Sequence, residues 1–164
     1  VKRLAAELLL MGNIETDLDS ALNKVQSVLD NGQAAEKFSF MTSVHGGPAD
    51  LIDKPEDYLK RATIIEPVFV PEAGTLTATA CRDIGLIVVE LGGGRIRSAD
   101  QIDHSVGLTQ LAPIGTYLDN QTPLCLVHAK TKEDFERAKA QLLKSITVSD
   151  ETVETGQSII TEVI

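Results

Sequence analysis

The sequence predicts a mixed α+β fold, in which a helical N-terminal segment precedes a compact β-rich module that also contains helices. Three observations lead to this fold class. Apolar residues recur at helical spacing before residue 63, β-branched extended segments follow, and a capped amphipathic pattern covers residues 131–144. Aromatic residues make up only 4% of the chain and Trp is absent, so we expect an aliphatic core.

Two helices are predicted at the start of the chain. The first covers residues 1–11, where Leu4, Leu8 and Met11 share one face. The second follows a cap at Thr16 or Asp17 and is closed by Asn31-Gly32. Its apolar stripe comprises Leu18, Ala21, Leu22, Val25, Val28 and Leu29.

A third helix is predicted at residues 33–44, and short helical turns are expected at 49–52 and 55–59. The third helix should direct four apolar side chains inward, namely those of Ala34, Phe38, Met41 and Val44. The helical pattern is already present at Val1 without a capping residue before it. We therefore expect the chain to begin inside a longer protein.

The C-terminal module is predicted to combine strands with two helices. Strands are expected at residues 63–70, 74–80, 105–111, 124–129, 146–149 and 158–163. The apolar run at 84–91 fits a helix or a buried strand, and we favour a helix because three glycines follow it as a stop.

The helix predicted at residues 131–144 has the clearest signals. Thr131 and Asp134 form a pair that resembles a capping box, and Phe135, Ala138, Leu142 and Ile146 form the buried stripe. The resulting domain division is a helical segment at residues 1–62 and a C-terminal domain at residues 63–164.

Composition argues against several classes of function. The net charge of −9, with scattered basic residues, argues against binding to nucleic acid or to an anionic membrane surface. No apolar run reaches the length of a membrane span. Two lone cysteines, Cys81 and Cys125, fit a reducing compartment. We therefore expect a cytoplasmic protein.

Catalytic and metal-binding motifs are not evident in the sequence. His45, His104 and His128 form no local metal-binding pattern, and the cysteines have no neighbouring base. Asp100, Asp103 and His104 are too few to define a cation site, and we interpret them as turn residues. We therefore predict no metal site and no cofactor in this chain. The residues point to no catalytic group, and a catalytic triad assembled from residues distant in sequence stays open at this point.

The most conspicuous motif is Leu91-Gly92-Gly93-Gly94-Arg95-Ile96-Arg97. Glycines beside Arg95 and Arg97 make these two arginines candidates for binding phosphate. Phosphate loops, however, normally precede a helix, whereas these glycines follow one. The favoured interpretation is a helix C-cap and tight turn with two surface arginines.

A swinging-arm function is excluded by the chemistry. The predicted strands at 68–71 and 73–79 are similar to those of biotinyl and lipoyl carrier modules, which carry a lysine at a hairpin tip. No lysine occurs between Lys60 and Lys130. A related barrel-like fold remains compatible with the sequence.

Several strings in order along the chain resemble the thymidine phosphorylase and pyrimidine-nucleoside phosphorylase family, specifically its C-terminal portion. They are His45-Gly46-Gly47-Pro48-Ala49-Asp50, Pro71-Glu72-Ala73-Gly74, Ile84-Gly85-Leu86, Leu91-Gly92-Gly93-Gly94-Arg95, Asp100, Ile102-Asp103-His104, Val106-Gly107-Leu108 and Pro123-Leu124-Cys125-Leu126-Val127-His128-Ala129.

The resemblance implies a homodimeric cytosolic enzyme of pyrimidine salvage with an α/β hammerhead-like C-terminal module. Its reaction converts thymidine and inorganic phosphate, the co-substrate, into thymine and 2-deoxyribose 1-phosphate. The family's phosphate-binding and pyrimidine-binding motifs lie in its N-terminal part and have no equivalent in this sequence. The resemblance thus implies an inactive portion that serves as scaffold and domain-closure partner, and an N-terminal part of the same enzyme as its partner. The alternative is a non-enzymatic, barrel-like binding or interaction module.

Overall fold

Two compact units make up the chain in the computed structural model, which describes residues 1–151 and residue 153. The first unit is Val1–Tyr58, and the second begins at Leu59. The division into domains at residues 62 and 63, expected from the sequence, stays a prediction. Within the described residues, no helix combines the length and apolar character needed to cross a membrane.

The first unit consists of helices, as predicted. They are α1 (Lys2–Met11), α2 (Leu18–Asp30), α3 (Gln33–Val44) and the single turn α4 (Pro55–Tyr58). Asp17 caps α2, because its side chain accepts a hydrogen bond of 2.9 Å from the backbone N–H of Ser20. Gly32 has φ = 84° and makes the tight turn from α2 to α3.

Few side chains are buried in this helical unit. Among its described residues only Ala6 and Ala21 are fully buried apolar residues, and these two small residues allow α1 and α2 to pack closely. The predicted inward stripe of α3 is wrong, because Phe38 is 43% exposed and Val44 is 67% exposed. The predicted helix is correct. Its apolar spacing shows which side chains share one face of the helix, but it does not show whether that face is buried. Helix α3 packs mainly against α2.

The described residues of the second unit form two antiparallel three-stranded sheets. Its strands are β1 (Ile64–Val68), β2 (Gly74–Thr79), β3 (Gly107–Thr109), β4 (Tyr117–Leu118), β5 (Cys125–Ala129) and β6 (Ile146–Ser149). The first sheet has the order β1-β5-β3 and the second the order β4-β2-β6. In the first sheet Val68 pairs with Cys125, and Gly107 pairs with His128.

Two helices cover these sheets. Helix α5 (Cys81–Val88) continues into a π-helical turn (Val89–Gly93), so the helical interpretation of the apolar run is confirmed. Helix α6 (Lys132–Lys144) is capped by Thr131, whose hydroxyl oxygen accepts from the N–H of Asp134 at 3.1 Å. The same hydroxyl donates to Oδ2 of Asp134 at 2.7 Å, which confirms the predicted capping pair.

The core of the second unit is aliphatic, as expected, with one aromatic ring. Phe135, Ala138 and Leu142 on α6 are buried, whereas Ile146 lies partly buried on β6. They join buried strand and loop residues in one cluster, which includes Val68, Leu76, Leu118, Leu124 and Val127. Burial of these side chains is the main stabilising term for the module.

One strand was not predicted, and one predicted strand cannot be compared with the described residues. The two-residue strand β4 was not predicted, since it is defined by its pairing with Gly74 and Thr75 and not by a local pattern. The strand predicted at 158–163 lies outside the described residues.

Candidate functional site

The glycine-rich loop, defined as residues 92–106, follows the π-helical turn after α5. Its three glycines are required by space and backbone conformation. Gly92 has φ = 98°, and a Cβ on Gly93 would lie 2.9 Å from Cγ1 and 3.1 Å from the carbonyl oxygen of Val88. A Cβ on Gly94 would lie 2.7 Å from Cγ2 of Val89. These contacts account for the glycines as a packed turn at the end of a helix.

A hydrogen bond between two residues of the loop satisfies a backbone group at the C-terminal end of the helix. The carbonyl oxygen of Gly92 accepts a hydrogen bond of 2.9 Å from the N–H of Asp103. The loop follows the C-terminal end of α5. This end of a helix has carbonyl oxygens without partners in the helix and carries the negative end of the helix dipole. This arrangement agrees with the C-cap interpretation of the motif.

Asp100 organises the tip of the loop. Its Oδ2 accepts from the backbone N–H groups of Ile96 at 3.1 Å and of Arg97 at 2.8 Å. Its own N–H donates to the carbonyl oxygen of Arg97 at 3.0 Å, and Nε of Arg95 donates to its carbonyl oxygen at 3.2 Å. The two arginines named as candidate phosphate ligands are both exposed at this tip, and Arg95 is engaged by the loop backbone.

Asp103 anchors the other end of the loop. Its Oδ1 accepts from the N–H and the hydroxyl of Ser105, at 2.9 and 2.7 Å, and its Oδ2 pairs with Nζ of Lys130 at 2.7 Å. The ammonium of Lys130 and the donors of Ser105 hold the pKa of this carboxyl well below its usual range. The Asp103 side chain is only 16% exposed, so the interpretation of this residue as a solvated turn residue was wrong.

The three histidines lie on separate elements. His45 is exposed at the C-terminal end of α3, and His104 is exposed in the glycine-rich loop. His128 lies on β5, where its Nε2 is 2.8 Å from Oγ1 of Thr109 on β3. Within the described residues, no histidine is paired with a carboxylate or a cysteine, and no group of three or more His, Cys, Asp or Glu could hold a metal ion.

The cysteines differ in environment. Cys81 is exposed at the first turn of α5, and its sulfur lies 3.6 Å from Oγ1 of Thr79. Cys125 is fully buried on β5, and burial raises the pKa of its thiol to about 11. The buried Cys125 thiol therefore lacks the lowered pKa and the access of a catalytic cysteine.

Many polar groups of the glycine-rich loop are thus hydrogen-bonded within the loop or paired with Lys130. Its carboxylates bond to the loop backbone, to Ser105 and to Lys130. The exposed residues of the loop are those at 95–99, Gln101 and His104. Such an arrangement suits support and contact.

Comparison with protein families agrees with this geometry. The family model described as the pyrimidine nucleoside phosphorylase C-terminal domain matches residues 75–149. The matched range begins in β2, contains the complete glycine-rich loop and ends with β6. The resemblance to the C-terminal portion of this family is therefore confirmed for the strings that lie within residues 75–149. Residues 75–149 of this chain thus match the C-terminal domain of the pyrimidine nucleoside phosphorylase family.

Proposed function

We propose that this chain is the C-terminal part of a thymidine phosphorylase, which converts thymidine and phosphate into thymine and 2-deoxyribose 1-phosphate. The observation that carries the proposal is the family match over residues 75–149. The choice of thymidine rests on the resemblance of the sequence strings, which extend upstream of this match to His45 and Pro48.

Phosphorolysis needs donors that bind phosphate, groups that stabilise the leaving pyrimidine and a domain closure that brings them together. We assign the first two to an N-terminal portion of the same enzyme. The present chain supports the N-terminal portion structurally and is the domain against which that portion closes. By itself, the chain is inactive. Inorganic phosphate is the co-substrate, and no further cofactor is required.

Exposed apolar side chains of the helical unit support the presence of an N-terminal portion that packs against it. Leu4, Leu8 and Met11 lie on one face of α1 and are 64%, 66% and 78% exposed. An open groove of about 690 Å³ beside α2 and α3 is lined partly by Val28, Ala34 and Phe40. Exposed apolar faces of this extent are typical of interaction surfaces. We assign them to packing against the N-terminal portion of the enzyme.

Two further properties follow from the family resemblance alone. We propose that the enzyme works in the cytoplasm and that it is a homodimer. Sedimentation of the intact enzyme would measure the second property directly.

The test uses the chain in two forms. The 164-residue chain is assayed alone, and again after co-expression with a polypeptide that contains the phosphate- and nucleoside-binding portion of a pyrimidine nucleoside phosphorylase. Release of thymine from thymidine and phosphate is measured by chromatography, with uridine as a parallel substrate and heat-inactivated protein as the control. We expect no turnover by the chain alone and turnover of thymidine by the pair.

Three outcomes would contradict parts of this proposal. Turnover by the isolated chain would contradict its inactivity. Equal rates with uridine and thymidine would contradict the thymidine preference while leaving the family role intact. Failure of the pair to associate would favour a non-enzymatic interaction module.

A further inference from the structure

Asn31 and Gly32 connect α2 to α3, and both residues are exposed. The N–H of Gly32 forms no hydrogen bond with the described residues. Oδ1 of Asn31 accepts a hydrogen bond of 3.0 Å from the N–H of Gln33, which keeps the Asn31 carboxamide beside the backbone of the turn. A side-chain amide and a peptide nitrogen without a partner among the described residues therefore lie next to each other in an accessible turn.

The peptide groups that follow the other three asparagines of the chain are held differently. Their N–H groups all take part in hydrogen bonds: that of Lys24 within α2, that of Ile14 with the carbonyl oxygen of Leu9 at 2.9 Å, and that of Gln121 with Oδ1 of Asp119 at 2.8 Å. A proton shared with an acceptor oxygen is harder to remove, because the lone pair left on nitrogen would face that oxygen. Among the four asparagines, Asn31 alone thus precedes a peptide nitrogen that is available as a nucleophile.

Attack by the Gly32 nitrogen on the Asn31 side chain is an intramolecular reaction, which proximity accelerates. Hydroxide removes the proton from this nitrogen, and the nitrogen forms a bond to Cγ of Asn31. The side-chain nitrogen takes a proton from water and leaves as ammonia, which completes a succinimide ring. Water then adds to either ring carbonyl and opens the ring to aspartate or isoaspartate. The conversion consumes water, releases ammonia and needs no other reactant.

The position of the turn permits the ring to close. Asn31 has φ = −90° and ψ = 0° and lies outside both helices, so the rotation about ψ that brings the nitrogen to Cγ does not unwind a helix. Gly32 has φ = 84°, and no atom beyond its chain neighbours lies within 4 Å of the place where a Cβ would stand. Its backbone is therefore free to compensate for the rotation, and it has no side chain to obstruct the attack.

We propose that Asn31 is a site of spontaneous deamidation, at which the chain converts itself through a succinimide into aspartate and isoaspartate. The conversion adds one negative charge to a chain whose net charge is −9. In isoaspartate the main chain runs through the side-chain carboxyl carbon, which lengthens the short connection between α2 and α3. The modification takes place whether or not the chain belongs to a thymidine phosphorylase.

The experiment follows the 164-residue chain during incubation at neutral and at mildly alkaline pH. Mass spectrometry of its peptides measures, at each asparagine, replacement of the amide by a carboxyl group, and chromatography separates aspartate from isoaspartate. Conversion at Asn31 should be at least about ten-fold faster than at Asn120, a difference of about 1.4 kcal/mol in activation free energy. The rate should rise with pH, because the nitrogen reacts after it has lost its proton. Asn31→Gln should lose the fast conversion, since glutamine would have to form a larger ring.

The matched control is Gln121→Gly, which places a glycine after Asn120 while Asp119 still accepts from its N–H. In the folded variant, Asn31 should convert at least about three-fold faster than Asn120, and in urea the two sites should react at similar rates. Thermal unfolding verifies that the variant folds like the unchanged chain. Conversion at Asn31 no faster than at Asn120 in the unchanged chain would overturn the proposal. Equal rates at the two sites in the folded variant would also overturn it, because the unpartnered N–H of Gly32 would then not select Asn31.

Discussion

Nζ of Lys130 lies 2.7 Å from Oδ2 of Asp103 and ties the glycine-rich loop to the residue that follows β5. Oδ1 of the same carboxylate accepts two hydrogen bonds from Ser105. Three donors thus stabilise the ionised form of Asp103. Because Asp103 also donates its N–H to Gly92, this one residue connects the base of the loop to its far end.

Replacing Asp103 with Asn should lower the unfolding temperature at neutral pH. The folded-state pKa of Asp103 lies below its ordinary value, so the carboxylate stabilises the folded state. This contribution is fully present above the unfolded-state pKa of about 4 and declines as the pH falls toward the lower folded-state pKa. The difference in unfolding temperature between the two proteins should therefore be large at pH 7 and shrink below about pH 4.

Glu72→Gln is the control for this prediction, because Glu72 is an exposed carboxylate that forms no hydrogen bond or ion pair with the described residues. Its unfolding temperature should follow that of the unchanged protein across the pH range. A pH-independent difference for Asp103→Asn would mean that the ionised carboxylate is not the stabilising species.

Gly93→Ala and Gly85→Ala should have opposite effects on stability. A Cβ on Gly93 would approach the backbone oxygen of Val88 at 3.1 Å, whereas a Cβ on Gly85 would meet nothing within 4 Å. We expect Gly93→Ala to destabilise the fold by about 1–3 kcal/mol through overpacking. We expect Gly85→Ala to stabilise α5 by about 0.5–1 kcal/mol, since alanine is the better helix former. Urea unfolding measures both, and an unchanged stability for Gly93→Ala would contradict the packed turn.

The two cysteines should react at very different rates with a thiol reagent. Cys81 is exposed, whereas Cys125 has no exposed surface and a pKa raised to about 11. One thiol per chain should be labelled rapidly in the native protein, and the second only on unfolding. The variant Cys81→Ser should lose the rapid phase. Fast labelling of that variant under native conditions would mean that β5 is not buried as described.

Asp100→Ala should loosen the tip of the glycine-rich loop with little effect on global stability. The substitution removes the acceptor for the N–H groups of Ile96 and Arg97, so hydrogen exchange at these two amides should accelerate. Asp100→Asn retains one acceptor oxygen and should restore part of the protection. Unchanged exchange in Asp100→Ala would contradict the role given to this carboxylate.

Much of the local structure could be predicted from the sequence because its signals are local. The cap at Asp17, the turn at Gly32 and the Thr131–Asp134 pair all depend on residues within a few positions of one another. The core face of α6 followed from its helical period. The glycines lie at the C-terminal end of a helix, as predicted, because a run of glycines after an apolar helical pattern is a local stop signal.

The remaining features depend on contacts between distant residues. The pairing of Asp103 with Lys130 brings a loop to the end of a strand, and no spacing along the chain indicates it. Strand β4 exists because Tyr117 and Leu118 lie against β2. The sequence predicts that the apolar face of α3 is buried, but Phe38 and Val44 are exposed. Amphipathic spacing shows which side chains share a face, and it does not show whether another part of the chain covers that face.

The most direct test of the central claim is a titration. A fixed amount of the phosphate- and nucleoside-binding portion of a pyrimidine nucleoside phosphorylase is mixed with increasing amounts of the 164-residue chain, and thymine release from thymidine and phosphate is measured. The account predicts that activity rises with added chain and saturates, while the chain alone stays at the level of the heat-inactivated control. Turnover by the chain alone, or no gain in activity at any ratio, would contradict it.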